Sequence, residues 1–169
     1  MPGHHLAQVN IALPLEPLGS ARLSGFVAAL DEINSLADAA TGFIWRLQTE
    51  DGDATAIRLL DDDRLIVNMS VWSSMASLTE FVYRSDHVRI MRQRRGWFET
   101  MSEAYQALWW VPAGHLPTVA EAEQRITRLR AHGPTEYAFT FRNAFPAPSA
   151  SEPSASDVRP ADEDLTCPA

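Results

Sequence analysis

The stretch Leu65–Phe98, LIVNMSVWSSMASLTEFVYRSDHVRIMRQRRGWF, constrains the fold most, because strict alternation gives way to helical spacing within a few positions. In an extended strand Leu65, Val67, Met69 and Val71 share one face, and Ile66, Asn68, Ser70 and Trp72 share the other. The first is a core face. The second is too polar for a core and too aromatic for water, so it reads as a cavity wall. After it, helical spacing predicts segments over Met75–Tyr83 and His87–Glu103, with Ser85 or Asp86 capping the second. His87, Met91, Arg94, Phe98 and Met101 then form one helical stripe, which carries two polar groups among apolar ones.

The flanking sequence supplies partners for this unit. His5–Leu13 alternates as a first strand, with Gln8 and Asn10 on the face opposite Ala7, Val9 and Ile11, and Pro14 and Pro17 end it. Ser20 caps a helix whose stripe is Leu23, Phe26, Val27, Leu30, Ile33 and Ala37, and Gly42 ends that helix. Phe43–Thr49 alternates as a second strand, separated from the Leu65–Trp72 strand by an acidic, turn-rich stretch. Tyr105–Val111 is a fourth strand bounded by Pro112. Thr118 and Glu121 then form a capping-box pattern for an extra helix ending at His132-Gly133-Pro134, and Tyr137, Phe139 and Phe141 alternate as a fifth strand.

The order β-α-β-β-α-β predicts an α+β fold, a ferredoxin-like antiparallel sheet with an extra helix and fifth strand. Both main helices lie on one sheet face. The other face is left with Gln8, Asn10, Ile44, Arg46, Ile66, Asn68, Ser70, Trp72 and one of Trp109 and Trp110, too apolar to stand in water, so a second copy is expected to cover it as a homodimer. Residues 1–143 form the domain. From Ala144 to Ala169 the chain is rich in Pro, Ser, Ala and acid and is expected to be a disordered tail.

Composition removes several classes of partner. The net charge is −8, and after the tail's acids are set aside 17 acidic residues still face 13 arginines, so nucleic acid is excluded. No window approaches the ~20 apolar residues of a membrane span, and no basic-then-apolar leader opens the chain, so a cytoplasmic location is the default expectation. Cys167 is the single cysteine, and no His or acidic pair has metal-site spacing; metal binding is not expected.

With Asn10 on the first strand, Trp72 closing the third, and the motifs GFIWRL, VNMSVW, DHVRIMRQRRGWF, LWWVPAGHLPT and HGPTEYAFTF, residues 4 to 143 resemble the dimeric α/β-barrel superfamily. Within it the chain is most similar to an uncharacterised bacterial family related to antibiotic-biosynthesis monooxygenases. The resemblance implies two ferredoxin-like sheets paired into a barrel, and a pocket more than a particular chemistry. Haem-degrading members use an Asn on strand one, a Trp and a helical iron-ligating His. Asn10 matches the first, whereas the ligand position falls near Arg92, with His87 about a turn earlier.

His87 and Arg94 are the candidate catalytic pair. A neutral His87 can take a proton from a phenol or an acidic carbon, and Arg94 can hold the oxyanion. The plain reading makes His87 a core histidine bonded to a carbonyl and Arg94 the partner of an acid. Asn10, Arg46 and Asn68 are candidate substrate hydrogen-bonders, or cross-strand contacts at an interface. Trp72 is a candidate stacking platform, and His115, in a Pro-bounded loop, a residue of the barrel mouth. Residues and resemblance together predict a small-molecule tailoring enzyme of secondary metabolism. It would be a cofactor-independent monooxygenase or an isomerase/cyclase acting on a planar aromatic or polyketide-like substrate. A noncatalytic ligand-binding or stress-response dimer is the second reading and a haem-binding protein the third.

Overall fold

Strand β1 (His4–Ala12) takes the central place because it offers alternating side chains over its whole length and can pair on both edges. Strand β3 (Ile66–Trp72) pairs antiparallel along one edge, with Gln8 opposite Ser70 and Asn10 opposite Asn68. Strand β4 (Gln106–Pro112) pairs antiparallel along the other, with Asn10 opposite Gln106 and Leu6 opposite Trp110. Strand β2 (Phe43–Arg46) adds to β3, giving the order β2-β3-β1-β4. The helices are α1 (Ser24–Asp38), α2 (Met75–Arg84), α3 (His87–Met91), α4 (Arg94–Trp97) and α5 (Val119–His132). This is the ferredoxin-like arrangement with an extra helix. The computed structural model describes residues 3–48 and 59–149.

Local chemistry explains most boundaries. Ser74 Oγ accepts from Ser77 N at 3.1 Å to start α2, and Thr118 Oγ1 accepts from Glu121 N at 3.2 Å to start α5. Ser20 Oγ accepts from Leu23 N at 3.4 Å in the turn before α1, so the helix proper starts at Ser24. Gly42 adopts φ +83°, and a Cβ there would meet Ser77 Oγ at 2.2 Å, so both conformation and close approach require glycine.

The structure corrects the expected His87–Glu103 helix. It breaks after Met91, restarts at Arg94 and ends at Trp97, because the chain then runs beside residues 13–15. Leu15 N donates to Trp97 O at 2.9 Å and Glu99 N to Leu13 O at 2.8 Å. These bonds replace the helical ones that the residues around Gly96 would make only weakly. The expected fifth strand is also reduced. Phe139 exchanges two backbone bonds with Leu108, at 2.8 and 2.9 Å, but Thr135 N turns back to Ala138 O and Asn143 N to Thr140 Oγ1, so no ladder extends.

The two sheet faces are both covered by the chain itself. Ala7, Val9 and Ile11 join Val67, Met69, Val71 and Trp109 beneath Ala122, Ile126 and Leu129 of α5. Gln8, Asn10, Asn68, Ser70 and Trp72 look instead toward helices α1 to α4 across a cavity. The face expected to be bare is therefore the face the helices roof, and the opposite one is taken by α5, so covering an open sheet requires no second copy. Ile44 does not belong to the cavity face. A bulge between Phe43 and Trp45 sets Phe43 opposite Trp72 and Arg46 opposite Ser70, which leaves Ile44 as the extra, exposed residue. Val27, expected in the buried stripe of α1, is likewise exposed.

At the carboxyl end the chain holds on beyond Asn143. Phe145 packs 5.8 Å from the Phe139 ring, and its carbonyl accepts from Trp110 Nε1 at 2.8 Å. Of the segment expected to be disordered, residues 150–169 lie outside the described residues.

Candidate functional site

A cavity of about 490 Å³ lies between the sheet and helices α1 to α4. Strand register lays the sheet face on that side out in rows. One row carries Phe43, Trp72, Leu6 and Trp110; the next carries Arg46, Ser70, Gln8 and Leu108; a third carries the amides Asn68, Asn10 and Gln106; and Ile66 and Ala12 follow. Side chains at every second position of each strand share a face, so each row is a direct result of alternation plus pairing.

The polar rows are partly tied together. Gln8 Nε2 donates to Asn68 Oδ1 at 2.7 Å and to Ser70 Oγ at 2.9 Å, and Trp72 Nε1 donates to Ser70 Oγ at 2.8 Å. Buried amide and hydroxyl groups are thus satisfied locally and held in fixed orientation. Asn10 makes no side-chain hydrogen bond among the described residues, so its amide is free for a ligand. Arg46 is not free: its Nε donates to Asp38 Oδ1 at 2.8 Å and its Nη2 to Oδ2 at 3.3 Å.

Trp72 is only 1% exposed, and its surface is already used. Phe81 stacks on it at 5.0 Å and 28°, and Phe43 meets it edge-on at 5.4 Å. It is a fixed wall of the cavity, and a ligand ring cannot take the face that Phe81 covers.

His87 stands at this aromatic end, half-buried, with its ring 5.0 Å from that of Phe81. Its Nδ1 lies 3.4 Å from Val82 O, so the neutral ring that donates there keeps the proton on Nδ1 and leaves the Nε2 lone pair unused. Burial pulls the imidazole below its ordinary value, and the Val82 carbonyl offsets this only in part. A neutral imidazole with a free nitrogen beside a cavity is the form a general base needs.

Arg94 lines the same cavity against different neighbours. Its guanidinium lies 5.4 Å from the Phe98 ring centroid and 5.1 Å from that of Tyr105, and among the described residues no carboxylate pairs with it. Burial lowers its pKa from the ordinary value, against a smaller raising influence of Tyr105, and the group stays cationic. The helical stripe that joined His87 to Arg94 in the sequence is broken at Arg92–Gln93. The two residues reach the cavity from separate helices and share no ring contact.

His115 lies elsewhere. Its Nε2 sits 2.8 Å from Glu121 Oε2 in the loop before α5, and it does not line the cavity. Glu121 itself was legible only as a cap. Its carboxylate also accepts from Trp109 Nε1 at 2.9 Å, binding loop, helix and sheet together on the dry face. Burial draws its pKa upward, but the hydrogen bonds from His115 and Trp109 and the charges of His115 and Arg125 outweigh this, so it lies below the usual value. Gln8, Ser70, Gln106 and Tyr105 also line the cavity, and of these the sequence placed Gln8 and Ser70 on that face without making them site candidates. Alternation with Asn10 and Asn68 marks Gln8 and Ser70; Gln106 enters through β1–β4 register, and Tyr105, just before β4, through the bond of Ile11 N to its carbonyl.

No group of three metal-ligating side chains occurs among the described residues. Arg92, near which the resemblance set an iron ligand, carries a guanidinium, and a guanidinium has no lone pair to offer iron.

Fold and cavity together define a ferredoxin-like protein with a small-molecule-sized pocket between sheet and helices. The chain belongs to a domain family of unknown function, DUF3291, whose model matches residues 5–155. No curated protein matches its sequence. Among solved structures it is similar to a protein of unknown function from Nitrosomonas europaea, with 17% identity, TM-score 0.42, and 69% of this chain and 97% of that one covered. It is also similar to SnoaB, a cofactor-independent oxygenase from Streptomyces nogalater, with 15% identity, TM-score 0.45, and coverage of 68% and 98%. A third is a dabb-family protein with a ferredoxin-like fold from Mesorhizobium loti, with 15% identity, TM-score 0.40, and coverage of 67% and 99%. No described helix is long and apolar enough to cross a membrane.

Proposed function

We propose that the protein is a small-molecule enzyme of the cofactor-independent oxygenase or isomerase type, acting on a planar aromatic or polyketide-like substrate. The observation that carries this reading is His87: a neutral imidazole whose Nδ1 is occupied by Val82 O and whose other nitrogen is left for the cavity. The His87 Nε2 takes a proton from a phenol or an activated carbon, and the developing negative charge is held by the amides of Asn10 and Asn68. The apolar side chains of α1 and the aromatic row exclude water around the substrate. SnoaB, a similar fold described as a cofactor-independent oxygenase, makes that class the first to test.

The test is turnover of a panel of naphthols, anthrones and hydroxyquinones, followed by absorbance and by an oxygen electrode. Wild-type protein should convert at least one, and His87→Gln should reduce its rate by roughly 100-fold or more at an unchanged fold. A His87→Gln variant with full rate would overturn the assignment of the base. The closed Gln8–Ser70–Trp72 network also suits a second reading, a noncatalytic binding protein whose polar groups only orient a ligand. Tight binding from the same panel with no conversion would select it.

A further inference from the structure

The charge of the cavity is opposite to that of the molecule. The chain carries a net −8, yet the cavity lining contains Arg46, Arg92 and Arg94 and no aspartate or glutamate. Arg46 is neutralised from outside the lining by Asp38. Arg94 has only ring contacts among the described residues, although a half-buried guanidinium ordinarily finds a carboxylate. A ligand that enters the cavity can supply the missing partner.

Position adds shape to this requirement. Trp72, which anchors the His87 end through Phe81, stands opposite Leu6, while Tyr105 beside Arg94 bonds to Ile11, five residues further along β1 and about 17 Å away at the usual strand rise. Between those ends lie first Arg46, Ser70 and Gln8 and then the amides Asn10, Asn68 and Gln106. His87 and Arg94 therefore serve opposite ends of one ligand.

We propose that the cavity takes an elongated planar aromatic acid, its carboxylate forked onto Arg94 beside Tyr105 and Phe98, and its ring system lying toward His87. This rests on the reading of the cavity as a small-molecule site and names the substrate class for it. The half-buried Arg94 guanidinium matches a carboxylate bidentately with one charge on each side, whereas Arg92, also in the lining, is exposed to solvent. Phe26, Trp97, Phe98 and Phe141 in the cavity lining offer apolar surface to a fused ring. The acid is a handle for binding and orientation, distinct from the atom that His87 deprotonates.

Isothermal titration of the full chain with 2-naphthoate, 2-naphthamide and 2-naphthyl phosphate tests this directly. The acid should bind at least about tenfold tighter than the amide of the same shape, the scale of a charge-assisted pair in a half-buried site. Arg94→Gln should erase that preference and Arg94→Lys should keep part of it, both with a folded far-ultraviolet spectrum. An acid-over-amide preference below tenfold in the wild type, or phosphate outbinding the acid, overturns the inference while leaving the cavity as a ligand site. No heat from any of the three overturns the cavity reading and the inference with it. The wild-type comparison decides the matter even if neither variant folds.

Discussion

Consecutive residues of the same strands do opposite work. On the face under α5, Val9, Ile11, Met69 and Trp109 are 0–1% exposed and meet Ile126 and Leu129 in a dry core. On the face under α1 to α4, Gln8, Asn10, Asn68 and Ser70 stand at the positions between them and leave about 490 Å³ open. Packing on the first face stabilises the sheet. The second gives up that packing to hold polar groups at fixed spacing, and the first face must supply the stability the second forgoes.

Truncation on the two faces should give unequal costs. Ile126→Ala, at a fully buried position, should cost about 2–5 kcal/mol, whereas Asn10→Ala, which breaks no hydrogen bond among the described residues, should cost under about 1 kcal/mol. Urea unfolding reads both. Equal costs would mean that the cavity face is packed as tightly as the other.

Gln8→Ala is the intermediate case. It removes the donor to Asn68 Oδ1 and Ser70 Oγ, so it should cost about 1–3 kcal/mol and also loosen the cavity floor. A loss of ligand affinity without a loss of stability would show that water replaces the Gln8 amide.

The faces should also separate by pH. His87 has a folded pKa below the unfolded value near 6.5, so above that value both states are neutral and the group contributes no pH dependence. As pH falls below 6.5 the unfolded chain takes up the proton first, and stability drops until the lowered folded pKa is reached. Glu121 has a folded pKa below its unfolded value of 4.5; its contribution is complete above 4.5 and is lost as pH falls through the folded pKa. Melting temperatures of wild type, His87→Gln and Glu121→Gln between pH 3 and 8 should assign the upper window to the cavity face and the lower to the α5 face. Glu121→Gln at pH 7 should cost only about 1 kcal/mol, since Trp109 keeps an acceptor while His115 loses its charged partner.

Much of this architecture is readable from residues alone. Alternation places Asn68, Ser70 and Trp72 together and sets them apart from Val67, Met69 and Val71, as the structure has them, because strand geometry permits no other sorting. The β-α-β-β-α-β order, the α2 and α5 starts and the Gly42 turn before β2 are equally local, since capping and positive φ depend on a few neighbouring atoms. The shared wall of Asn10 and Asn68 belongs to this legible part, whereas His87 joins it only because the helices roof that same face.

What tertiary structure alone decided is which element covers which face, and what each polar group meets there. Nothing in the periodicity of residues 119–132 says that this helix lies on the opposite side of the sheet from the others, because an apolar stripe names no partner. Helix continuity past Trp97 was lost to backbone bonds with residues 13–15, a long-range competition invisible in local propensity, and the helix also breaks at Arg92–Gln93. The same break carried Arg94 away from His87 to Tyr105, just as a loop bond gave His115 to Glu121. Sequence determined the chemistry available on each strand and helix; the packing of those elements determined which of it faces the cavity, because side-chain neighbours across a fold are set by register and layer order rather than by distance along the chain.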